Sequence, residues 1–196
     1  MWIVVLGVFA ALFSLAAKDR AGATSFAWVL TSTLTVMLLA RTASIAEIVA
    51  AQSPAALRWY IFQSPASFLA FGVSLHAVGT VCARARLSGS LYAGALAVLA
   101  AALFLGGVPL DDAAWGVAIL SAKAGAVLVA AHAFEISSKT AVTLSALGLL
   151  LALLSFFVDL ETLFPAWSAL AVGCVCALGA RAIVPPLRRA SEPVPV

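Results

Sequence analysis

Long, nearly unbroken apolar stretches alternate along this chain with short polar clusters, and the clusters carry almost all of its charge. A continuous apolar run of about 20 residues is the length that takes a helix across a hydrocarbon core of roughly 30 Å. A membrane β-strand would instead alternate apolar and polar positions over about 10 residues, and these Ala- and Leu-rich runs do not. The pattern predicts an all-α, polytopic transmembrane bundle of seven spans, at 1–17, 21–40, 64–83, 87–110, 113–134, 140–158 and 162–184. The first run is short, but no Lys or Arg precedes it, so it reads as a retained helix; Ser14 and Ala16 would suit the alternative, a cleaved signal peptide.

Two segments depart from this rhythm. Thr42 to Phe62 is too polar to span, yet Ile45, Ile48 and Val49 share a helical face while Glu47 and Gln52 are expected to point elsewhere. This predicts a short helix over 42–53 lying in the membrane interface, ended by Pro54 and followed by the basic and aromatic cluster Arg58, Trp59 and Tyr60. The segment 185–196 carries Pro185, Pro186, Pro193 and Pro195 and is expected to be a disordered, extended tail.

Composition sharpens the membrane reading. Of 196 residues, 64% are hydrophobic and 10% charged, and the mean hydropathy is +1.15, which excludes a soluble globular enzyme, a disordered chain and a coiled coil. Basic residues in short loops favour the cytoplasmic side. With the N-terminus outside, Lys18, Arg20, Arg84, Arg86, Lys139, Arg181, Arg188 and Arg189 all fall inside, against Arg41 and Arg58 outside. The expected topology is therefore N-out and C-in, in a bacterial cytoplasmic membrane.

Few side chains in the spans could do chemistry. Lys123 sits mid-span, where an ionisable group is costly and marks either a proton relay or intersubunit charge, or a lysine that snorkels or pairs with a backbone carbonyl. His132 and Glu135 are three apart and would share a helix face as a hydrogen-bonded interfacial pair; a metal site would need further ligands. His76 is expected to be a satisfied interhelical donor. Cys82, Cys174 and Cys176 match no redox or zinc spacing and read as small packing residues. No phosphate loop, nucleophile triad or paired-carboxylate motif is present, so no catalytic residue and no metal are assigned. Gly72, Gly79, Gly94, Gly125, Gly173 and Gly179 are expected to let helices approach closely.

Four stretches, in order, resemble the membrane subunit of respiratory complex I that forms much of its quinone chamber, in bacteria and mitochondria alike. Ser44-Ile45-Ala46-Glu47-Ile48-Val49-Ala50-Ala51-Gln52 is similar to a family motif that follows a span. Trp59-Tyr60-Ile61-Phe62-Gln63-Ser64-Pro65, with Phe68 and Phe71, looks like the aromatic approach to the next helix. Leu103-Phe104-Leu105-Gly106-Gly107 is similar to the family's turn at the outer end of a span, and Lys123 stands where the family has a lysine.

The departures concern the acids. The family carries a long acidic cytoplasmic loop at the quinone site; here the corresponding loop is Ala83 to Gly89, with Arg84 and Arg86 and no acid. Family glutamates fall near Val78 and Phe26, and Glu135 stands in the place of an arginine. The resemblance therefore implies a shortened relative: a non-catalytic, anchoring membrane subunit of a quinone-linked oxidoreductase assembly, related to NADH dehydrogenase or membrane hydrogenases. The implied partners are the lipid bilayer and other membrane subunits, with no nucleic acid; no cofactor is bound by the chain itself, quinone belonging to the assembly. The competing expectations are a small-solute or ion transporter, for which the sequence shows no internal repeat, and a membrane scaffold.

Overall fold

The computed structural model describes residues 20–52, 58–83, 87–106, 113–134, 136–159 and 166–177. They form helices α1 (Arg20–Ala40), α2 (Ile45–Ala51), α3 (Tyr60–Gln63), α4 (Pro65–Cys82), α5 (Leu87–Phe104), α6 (Ala113–Ala133) and α7 (Ser138–Leu154), and a further helix, α8 (Trp167–Ala177). No strand occurs among the described residues. By length and composition α4 and the 115–133 part of α6 can cross a membrane, and α1 from Thr24 joins α2 as a third apolar unit bent by 63°. The first predicted span and the proline-rich tail lie outside the described residues.

Local chemistry sets the helix ends. Ser44 caps α2 by accepting from the Glu47 N–H at 3.4 Å, and the Thr42 hydroxyl donates to the Glu47 carboxylate. Ser64 caps α4 by accepting from the Ser67 N–H at 3.2 Å, with Pro65 in the first turn where no N–H is missed. Ser137 does the same for α7 through the Thr140 N–H at 3.1 Å. The helix predicted over 140–158 starts two residues earlier, at this cap, and stops at Leu154, with 155–157 in turns.

The bundle is built around α4. It packs against α1, α5, α6 and α7, and 72% of its residues are buried, against 22% for the 115–133 part of α6. Its buried face runs through Phe71, Leu75 and Val78 to Leu96, Leu103 and Phe104 of α5 and Val127 of α6. The buried hydroxyls of α1 are each satisfied: Ser32, Thr33 and Thr35 donate to carbonyls one turn back at 2.8–2.9 Å, and Ser25 pairs with Thr80 of α4 at 2.9 Å. In an apolar solvent such closure is what makes a polar helix face tolerable.

Close approach uses fewer glycines than expected. A Cβ on Gly79 would stand 3.0 Å from the Ala131 carbonyl of α6, and one on Gly72 3.3 Å from the Phe134 ring. Gly94, Gly125 and Gly173 face open space instead, because their positions point away from a neighbouring helix, and Gly179 lies outside the described residues. A Cβ on Gly148, which is not among the expected set, would stand 3.5 Å from the Ala66 carbonyl and 3.6 Å from Leu69 of α4, ordinary contact distances. Gly79→Val therefore forces α4 and α6 apart and is expected to cost about 1–3 kcal/mol, whereas Gly94→Ala is expected to leave stability unchanged; thermal unfolding of the two variants in mild detergent checks the contrast.

Candidate functional site

The most connected polar group in the bundle is the side-chain amide of Gln52. Ile48 and Gln52 are one turn apart at the end of α2, so a helix that buries Ile48 also turns Gln52 inward; both are fully buried. This corrects the expectation that Gln52 points away from the apolar face. The Oε1 atom accepts from the Tyr60 N–H at 3.1 Å and the Gly106 N–H at 3.0 Å. The Nε2 atom donates to the Leu103 carbonyl at 3.0 Å, with longer contacts to Ile48 at 3.3 Å and Ala102 at 3.4 Å. Leu103 and Ala102 belong to the last turn of α5, whose carbonyls have no partner within the helix. One side chain thus closes the start of α3, the end of α5 and its own helix.

Gly106 continues the network. It has a φ of +72°, a conformation that favours glycine, and a Cβ there would meet the Trp59 indole at 2.6 Å. Its carbonyl accepts from Nζ of Lys123 at 2.7 Å, and the same ammonium lies 4.9 Å from the centroid of the Trp59 ring. Trp59 in turn stacks on Phe62 at 6.2 Å. Lys123, in the middle of α6, reaches toward the bundle end where α5 stops and pairs there with a backbone carbonyl.

The other candidates are distributed more widely. Glu47 is exposed and helps cap α2, Gln63 donates through Nε2 to the Arg58 carbonyl, and Pro65 opens α4. Gly107 and Glu135 lie outside the described residues. His132 is exposed, its Nδ1 3.1 Å from the Leu128 carbonyl. His76 departs from expectation: it is buried edge-on to Trp28 at 6.4 Å, and its Nε2 meets no hydrogen-bond partner among the described residues. Both histidines line one cavity of about 370 Å³ at the bundle end opposite Gln52, with Thr80, Cys82 and Phe134. The three cysteines are free thiols, and among the described residues no three His, Cys, Asp or Glu side chains come together as a metal cluster.

Gln52 and Gly106 are legible in the sequence as family-like positions but not as partners, since 54 residues separate them. The signal that could have joined them is the combination of a polar residue one turn after Ile48 with a glycine just past an apolar run. Comparison with family models, curated proteins and solved structures returns no match. Gln52→Leu strands the buried Tyr60 and Gly106 N–H groups and is expected to cost about 2–5 kcal/mol, while Glu47→Gln stays within about 0.5 kcal/mol; chemical denaturation in detergent micelles distinguishes them.

Proposed function

We propose that this chain is a non-catalytic membrane subunit of a quinone-linked oxidoreductase assembly, similar in scaffold to the quinone-chamber subunit of respiratory complex I. The observation that carries the reading is convergence. The stretches behind the resemblance run from Ser44 to Lys123, the first two close together in sequence and the others distant from them, yet Gln52 from the first, Trp59 and Tyr60 from the second, Leu103 and Gly106 from the third and Lys123 meet in one hydrogen-bonded and cation–π cluster. Unrelated stretches that matched by chance have no reason to share a network.

In this reading the chain forms seven spans with its N-terminus outside and its C-terminus inside a bacterial cytoplasmic membrane, and it contacts neighbouring membrane subunits. The loop 83–89 carries Arg84 and Arg86 and no carboxylate. A chamber that funnels protons to quinone needs acids at that end, so the electron and proton chemistry falls to partner chains, and quinone is bound by the assembly.

The test is purification of the tagged chain from its native membrane in mild detergent, with mass spectrometry of the native-gel band. Co-migration with antiporter-like membrane subunits and iron–sulfur subunits is the expected outcome; migration alone or as a homo-oligomer overturns the proposal. Lys123→Met removes a charge-assisted hydrogen bond worth roughly 1.5–3 kcal/mol and is expected to lower the amount of assembled complex about tenfold or more.

A further inference from the structure

One arginine stands where the backbone favours glycine. The end of α1 is a Schellman motif, in which the Arg41 N–H donates to the Leu38 carbonyl and the Thr42 N–H to the Met37 carbonyl, both at 3.2 Å. That motif places Arg41 at a φ of +52°, and among the described residues no other non-glycine side chain is held at positive φ. An arginine kept there against its backbone preference points to a use for the side chain.

The side chain reaches from α1 to the end of α7. Its guanidinium donates to the Ser155 carbonyl at 3.3 Å and lies 5.5 Å from the centroid of the Phe156 ring. Ser155 is the first residue past α7. The last carbonyls of a helix have no partner within it and carry a partial negative charge, so a cation brought from another helix both pairs and neutralises this end. The turns that follow are loosely built: the Phe156 and Phe157 N–H groups reach back only three residues, to the Leu153 and Leu154 carbonyls, the poorer geometry of a 3₁₀ turn. Phe157 is 85% exposed.

These turns matter because they form a wall. A cavity of about 410 Å³ opens at this bundle end, and Ser155 to Asp159 all line it, together with Arg41, Leu39, Tyr60 and Gln63 among others. Tyr60 is the residue whose N–H is held by the Gln52 amide, so the cavity borders the polar node of the bundle. We infer that Arg41 is a latch: its grip on Ser155 and Phe156 holds the 155–159 turns against the bundle as a wall of the cavity, and its release opens that wall while the helices stay packed. The grip is one hydrogen bond and one ring contact at the surface, whereas the helices are held by the buried core around α4. Opening of the wall therefore lies well below unfolding in free energy. The inference uses no neighbouring chain and stands or falls separately from the assembly reading.

The experiment is hydrogen–deuterium exchange of the full chain in mild detergent, read by mass spectrometry beside thermal unfolding. Arg41→Gly supplies the residue that a φ of +52° favours while it removes the latch. The expected result is about tenfold faster exchange of the amides at 156–159, with exchange in α4 unchanged and heat stability at or above that of wild type. Arg41→Lys keeps a cation that can reach the same carbonyl and is expected to hold exchange within about threefold of wild type. As a second readout, Leu39→Cys places a thiol in the cavity, and its alkylation by a small maleimide, resolved by peptide, is expected to be about tenfold faster when combined with Arg41→Gly. Equal exchange at 156–159 in wild type and Arg41→Gly overturns the latch. So does faster exchange spread through all the helices with a lowered unfolding temperature, because Arg41 then supports the fold as a whole.

Discussion

The rest of the fold depends on one constraint: in an apolar surrounding, every backbone N–H and carbonyl that leaves a helix must find another partner. At Gln52 and Trp59, between α2 and α4, and again at Leu105 and Gly106 past α5, the chain leaves α-helical geometry. The Gln52 amide resolves both departures at once, because it offers an acceptor and a donor in one planar group on a side chain long enough to reach between helices. Tyr60, Gly106 and Leu103 are held to it within 3.1 Å. Remove the amide and the start of α3 and the end of α5 lose their shared anchor, so the entry of the chain into α4 is no longer fixed.

That anchor explains how a lysine can be tolerated in α6. A cation in hydrocarbon needs oriented dipoles. The Gly106 carbonyl is already oriented, because its own N–H is fixed to Gln52 and its φ of +72° turns it out of the α5 axis. Trp59 supplies the second contact through its ring face, and it can pack so near only because position 106 has no Cβ. The lysine, the glycine and the tryptophan are therefore one device, and changing any one alters the geometry the other two rely on.

How much of this is legible in the sequence depends on the range of the interaction. Apolar run length marks where α1, α4, α5 and α6 lie, whereas the serine caps at 44 and 137 set helix starts that run length and pattern put at 42 and 140. The facing of Gln52 escapes a reading that weighs polarity above position, although its spacing from Ile48 already places it inward. Gly94 and Gly125 depart from expectation for a different reason: a small residue permits close approach, but whether a neighbour comes is decided by packing that sequence does not display. His76 likewise reads as satisfied, while its burial against Trp28 leaves Nε2 without a partner among the described residues.

The node holds Lys123 on two sides, the Gly106 carbonyl accepting from its ammonium and the Trp59 ring face lying against it. These contacts act as a clamp between α5 and α6. A clamp of this kind is of most use where a helix must present a defined outer surface, and the outer face of α6 is largely unburied, with Trp115, Val117 and Val129 well exposed. Fixing the inner side of α6 through Lys123 sets the rotation of that exposed face.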